Sequence, residues 1–143
     1  MYGMQAGTYK SQSVETADRG KPLLMIYDHC LKYCKVAIEA VQSRNIEGRT
    51  KAIFKVQDGI TELICSLDFE KGGEIAKNLY RLYDFYNRHL TDANIKNSQK
   101  HIEEVQTMLT ELRSAWASAV DTVRKNPDIN MRMSQKSYVS LVG

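Results

Sequence analysis

Ser66-Leu-Asp-Phe-Glu-Lys-Gly-Gly-Glu-Ile-Ala-Lys-Asn-Leu79 joins two heptad-patterned segments through a double glycine, Gly72-Gly73. Upstream, apolar residues fall at Ile46, Ile53, Val56, Ile60, Leu63 and Leu67, a helical spacing. Downstream, Ile75, Leu79, Leu82, Tyr86, Leu90 and Ala93 continue the same period, with Tyr80 and Tyr83 on one flank and Phe85 on the other. Phe54 lies well off the upstream stripe. Gly59 sits mid-helix, which costs about 1 kcal/mol relative to Ala; a close helix neighbour or no special role both account for it.

Working outward, an N-terminal helix is expected from Lys21 or Pro22, since proline is tolerated in a first turn. Thr16 and Asp18 are candidate caps. Its stripe is Leu23, Tyr27, Cys30, Cys34, Ala37 and Val41. Leu24, Leu31 and Ile38 widen it on one side, Ile26 and Tyr33 on the other. At about 100° per residue the apolar face covers roughly half the circumference, more than a plain bundle seam needs. After Asn94-Ile-Lys-Asn97, Ser98 is a candidate cap for a last helix carrying Ile102, Val105, Leu109, Leu112, Trp116, Ala119 or Val120, and Val123. Asn126-Pro127 ends it, because the residue before proline is pushed out of the helical region.

Helices of about 20 residues with short connections make antiparallel neighbours. The expected fold is all-α, an up-down-up-down four-helix bundle over residues 18–126. An N-terminal arm (residues 1–17) and a C-terminal tail (residues 127–143) flank it. The only prolines are Pro22 and Pro127, so about a hundred residues run without the strongest helix breaker. A chain of 143 residues is one domain with room for a core. A net charge of +3 is too small and too dispersed for a nucleic-acid binder. No apolar run reaches the roughly 20 residues of a membrane span, and the first residues lack the charged and apolar regions of a secretion signal. Three cysteines, Cys30, Cys34 and Cys65, all fall in helical patterns and read as reduced, buried, small hydrophobes.

Catalytic and metal chemistry find little support. Di-iron bundles repeat Glu-x-x-His on facing helices, and no such pair occurs. His29, His89 and His101 show no repeated Cys or carboxylate partner, and Cys30 with Cys34 supplies too few ligands for a closed zinc site. There is no Gly-rich phosphate loop of the Gly-Lys-Ser/Thr type. The expectation is a non-enzyme with no cofactor and no metal. What remains is surplus apolar surface: Ile26, Tyr33, Phe54, Tyr80 and Tyr83 flank the core stripes, either padding its edges or forming a groove for an amphipathic segment of a partner.

The order and spacing of several short motifs resemble one family. These are Tyr9, Val14 and Thr16-Ala-Asp-Arg-Gly-Lys21, Leu24-Met-Ile-Tyr-Asp28, Gln57-Asp58, Ser66-Leu-Asp68, Gly72-Gly-Glu-Ile-Ala76, Asn78-Leu79, Leu82-Tyr-Asp84, Asn87-Arg88, Ala93-Asn-Ile-Lys-Asn97 and Leu112-Arg-Ser-Ala-Trp116. Together they resemble the FliS family, chaperones of flagellin export. The chain departs from it at Asp18-Arg19, where the family usually has Ser-Pro. The resemblance implies a cytoplasmic protein that binds the disordered C-terminal region of flagellin, prevents its premature polymerisation and keeps it competent for flagellar type III secretion. It also implies contact with the cytoplasmic domain of the export gate. The residues expected to meet the client are Tyr9, Ile26, Tyr27, Tyr33, Tyr80 and Tyr83 as apolar anchors, with Asn87 and Asn94 as hydrogen-bonding partners for its backbone. The arm bearing Tyr9 and Val14 is expected to fold over the groove when no client is bound. The expected state is a monomer or weak homodimer. A self-associating structural bundle with no flagellin client is the alternative.

Overall fold

A computed structural model describes residues 16–125, with side chains from Gly20 onward. Tyr9, Val14 and the expected tail (residues 127–143) lie outside the described residues. Four helices follow one another: α1 (Thr16–Gln42), α2 (Ile46–Cys65), α3 (Phe69–Lys96) and α4 (Gln99–Lys125). Each packs on two neighbours in the ring α1–α2–α3–α4–α1. The cross-links run in opposite chain directions: Thr50 meets Asn94 while Thr61 meets Asn87. This is the expected all-α antiparallel four-helix bundle.

The ends of the helices are built from local chemistry. Asn45 caps α2, its Oδ1 accepting from Gly48 N at 2.9 Å. Asp68 caps α3 by accepting from Glu70 N and Lys71 N, both at 3.0 Å. Ser98 caps α4, its Oγ accepting from His101 N at 3.2 Å. Asn97 takes φ 52° at the end of α3, a left-handed position that Asn tolerates better than most residues, and Ser98 N closes back on Ala93 O at 2.9 Å.

Two boundaries differ from expectation. α1 begins at Thr16, so Thr16 and Asp18 belong to the helix and Pro22 lies inside it. The Gly72-Gly73 pair does not separate α2 from α3. The separation occurs at Leu67-Asp68, one helical turn follows from Phe69, and Gly73 then kinks α3 at φ 53° and ψ −130°. That backbone conformation is open to glycine and strained for other residues. The double glycine is therefore a bend within a helix.

The core contains Leu23, Tyr27, Cys30, Cys34 and Ala37 of α1, Ile53, Val56, Ile60 and Leu63 of α2, Tyr83, Leu90 and Ala93 of α3, and Ile102, Val105, Leu109, Trp116, Val120 and Val123 of α4. Each large aliphatic side chain buried there contributes about 1.5–3 kcal/mol of hydrophobic free energy. Ile46 and Ile75, expected inward, are instead exposed, Ile46 at the first position of α2 and Ile75 just after the Gly73 kink. Cys65 is also exposed, unlike Cys30 and Cys34, because it closes α2 one position beyond the apolar face. Gly59 has a packing role: a Cβ there would collide with Cys30 Sγ and lie 3.1 Å from His29 Cδ2. The glycine lets α1 and α2 approach closely.

Candidate functional site

Tyr27 and Tyr83 are buried at 0% and 2% exposure, not surface anchors. Their hydroxyls meet at 2.5 Å, and Trp116 Nε1 donates to Tyr27 Oη at 3.0 Å. The three rings tie α1, α3 and α4 together through the middle of the bundle. Burial pushes the Tyr83 hydroxyl up to about 12 and raises Tyr27 beyond the ordinary tyrosine range. This correction has a physical reason. Tyrosine at a core position is stable when its hydroxyl finds a partner from across the bundle, and sequence periodicity does not show that partner.

The remaining expected contact residues separate onto two seams. Ile26 and Tyr33 are half-buried on α1, packed against the core edge. Tyr33 contacts the His29 ring at 5.0 Å, and His29 Nε2 donates to Lys55 O of α2 at 2.9 Å. Tyr80, Asn87 and Asn94 lie on the α3 side of α2. Tyr80 is 42% exposed and meets Phe69 edge-on at 6.0 Å. Asn94 is occupied within the bundle: its Oδ1 accepts from Arg49 Nε at 2.9 Å and Thr50 Oγ1 at 3.0 Å. Arg49 Nη1 also donates to Asn97 Oδ1 at 2.7 Å, which explains a nearly buried arginine. Asn87 Nδ2 donates to Thr61 Oγ1 at 3.3 Å, while its enclosed Oδ1 has no hydrogen-bond partner among the described residues.

A third surface was not expected. α3 and α4 leave a groove of about 580 Å³ between them. Phe85, Tyr86 and Met108 supply its apolar lining, and Lys100, Glu103, Glu104 and Glu111 its charged rim. Phe85 stays 48% exposed, stacking on His89 at 5.3 Å and meeting Tyr86 edge-on at 5.0 Å. Phe85 on the flank opposite Tyr80 was the one available sequence signal. His89 also contacts α4: Nε2 lies 2.6 Å from Glu104 Oε1, and its ring stacks on His101 at 4.1 Å. The hydrogen bond from His89 holds the Glu104 carboxyl below the usual carboxylate range. The sequence shows no repeated ligand pattern around the histidines, yet the fold sets His89 beside Glu104 and His101 of α4. The α3–α4 turn folds His89 back onto residues 12 and 15 positions later, and no local motif announces that pairing.

Outside the core, large apolar side chains remain open to solvent on every helix but α4: Met25 and Val36 on α1, Ile46 and Phe54 on α2, and Phe69, Ile75, Tyr80, Phe85 and Ile95 on α3. No helix among the described residues is long and apolar enough to cross a membrane.

The sequence profile described as "Flagellar protein FliS" matches residues 2–123. The chain belongs to the FliS family. Among FliS relatives, the flagellar secretion chaperone FliS of Bacillus subtilis is 34% identical over 118 residues, covering 82% of this chain and 87% of that protein. The flagellar secretion chaperone FliS of Salmonella typhimurium is 44% identical over 70 residues, 49% of this chain and 50% of its own. That of Campylobacter jejuni is 35% identical over 96 residues, covering 67% of this chain and 75% of the relative.

Proposed function

We propose that this FliS-family protein is a flagellar export chaperone whose client is flagellin. It binds the C-terminal region of flagellin in the cytoplasm, prevents premature polymerisation and delivers the subunit to the cytoplasmic domain of the export gate. It works as a binding protein without catalysis. The observation that carries this reading is the family match across nearly the whole chain, with relatives named as flagellar secretion chaperones. The open apolar side chains add physical support. A disordered client ordering on contact gives up about 2–5 kcal/mol or more, and apolar burial over a wide surface offsets that loss.

The contact surface in this reading runs over Ile26, Tyr33 and Tyr80, with Phe85 added from the α3–α4 groove. Asn87 keeps its proposed role from its place on the α2–α3 seam, where its Nδ2 reaches Thr61 Oγ1. Asn94 contributes indirectly by fixing Arg49. Tyr27 and Tyr83 hold the bundle together beneath that surface. The arm (residues 1–17) covers the apolar surface in the absence of client. Its deletion then raises binding of a hydrophobic dye by the free protein, and an unchanged dye signal removes the arm from the mechanism.

The client is tested by calorimetric titration with a peptide of roughly 40 residues from the C-terminus of the same organism's flagellin, long enough for the interface that coupled folding usually buries. One-to-one binding with a large negative heat-capacity change is expected. Absence of binding, both in the full chain and after removal of residues 1–17, overturns the flagellin reading and leaves a self-associating bundle.

A further inference from the structure

We propose that His89, His101 and Glu104 form a site for a divalent transition-metal ion of the zinc or nickel type, clipping α3 to α4 at the edge of their groove. The inference stands apart from the flagellin reading and rests on three observations.

The first is the donor set. Two imidazoles and one carboxylate are the ligand types that such ions share in sites keeping a coordination position open for water. Each side chain offers a donor atom, and the three donors all lie within 4.8 Å of one another. With metal–ligand bonds of about 2.0–2.2 Å, neighbouring donors in a tetrahedral site sit roughly 3.3–3.5 Å apart. The site therefore closes by side-chain rotation: the stacked rings turn towards edge-on, and the 2.6 Å His89–Glu104 contact opens to admit the ion. His89 and His101 are half-buried and Glu104 is exposed, so this motion needs no core rearrangement.

The second is a supporting shell. Ser98 Oγ lies 2.7 Å from His101 Nδ1 and also accepts from His101 N at 3.2 Å. A hydroxyl oxygen has two lone pairs, so Ser98 can accept from both. An Nδ1–H donated to Ser98 leaves His101 Nε2 deprotonated and able to bind a metal, the arrangement found around most metal-bound histidines. Without an ion, the carboxylate of Glu104 accepts from His89 Nε2; to bind the ion there, the neutral His89 ring carries its hydrogen on Nδ1 instead.

The third is position. The ligands come from two helices joined by a tight turn, His89 from α3 and His101 with Glu104 at i, i+3 on one face of α4. Two of them, His89 and Glu104, also line the groove. A bound ion fixes the distance between α3 and α4 where their side chains leave open space.

The test is calorimetric titration of the untagged full-length chain with zinc chloride, repeated with nickel chloride. One ion per chain is expected. His89→Gln and His101→Gln each weaken binding by about tenfold or more, and Ser98→Ala weakens it by about tenfold while all three ligands remain. His29→Gln and Cys65→Ser leave it unchanged, since His29 lies on α1 and Cys65 is the exposed thiol. A readout that needs no variant is the imidazole nitrogen NMR spectrum: zinc shifts the signals of His89 and His101 and spares His29. Failure to bind zinc or nickel at sub-millimolar concentration overturns the proposal. So does a stoichiometric site that survives both histidine substitutions, or a zinc-induced shift confined to His29.

Discussion

α1 and α3 occupy opposite corners of the same ring, yet they are held differently. α1 packs on α2 and α4 mainly through the core, with His29 bonded to Lys55 O and Asp28 paired with Arg113 at the edges, and it comes close enough that Gly59 is needed opposite Cys30. α3 shares fewer close contacts with its neighbours, and much of its attachment is polar. Arg49, Thr50, Gln57 and Thr61 of α2 bond to Asn94, Asn97, Asn87 and Thr91, while His89 reaches Glu104 on α4. Among the described residues, α3 also carries five of the nine exposed large apolar side chains, and it holds the Gly73 kink. Apolar seams bury surface and resist rearrangement. Polar, half-open seams can exchange partners with water or with another chain at lower cost. The contrast makes α1 the frame of the bundle and α3 its adaptable wall.

The largest effect is expected at the centre, where both walls meet. Trp116→Ala removes a buried ring and the donor to Tyr27, and should destabilise by about 3–5 kcal/mol in denaturant unfolding. A loss below about 1 kcal/mol, within the range of ordinary surface changes, would mean that the frame is not anchored there. Arg49→Ala should cost about 1.5–3 kcal/mol, the range for hydrogen bonds involving a charged group. Hydrogen exchange should rise first in the C-terminal half of α3, and a rise spread evenly over α1 would break the contrast.

Tyr27→Phe leaves Tyr83 Oη and Trp116 Nε1 without their shared partner, for about 1–3 kcal/mol. The same centre predicts an alkaline transition. Tyr83 is raised from 10.0 to about 12 and the Cys34 thiol from 9.0 to about 12, both by burial. Their folded-state values lie above the unfolded ones, so the native state holds these protons more tightly. The associated stability is complete below pH 9 and falls as pH rises towards about 12. Tyrosinate absorbance during alkaline unfolding, with the share of Tyr83 taken as the difference from Tyr83→Phe, should show Tyr83 ionising with the loss of structure; ionisation of Tyr83 at the ordinary pH in a still-folded chain would contradict its burial. The smallest effect is expected at Phe85→Ala, which should change stability by less than about 0.5 kcal/mol, as for surface positions generally. A loss comparable with that of Trp116→Ala would make α3 as rigid as α1.

The sequence by itself determined the four helices, their antiparallel order and most of the core, because a 3- and 4-residue apolar period forces one face inward wherever the helix goes. It also determined the cap at Ser98, which depends on a residue three positions away. Tertiary structure decided what each flank of a wide stripe does. Tyr83, a flank residue by period, went inward, where its hydroxyl meets that of Tyr27, which also accepts from Trp116, 89 residues from Tyr27. Asn94 was taken by Arg49, and Tyr80 and Phe85 stayed open on opposite sides of α3. Only the fold brought His89, His101 and Glu104 together across α3 and α4. Periodicity specifies the direction of burial along one helix, whereas partners across helices depend on the relative register and separation of their axes, which no single segment encodes.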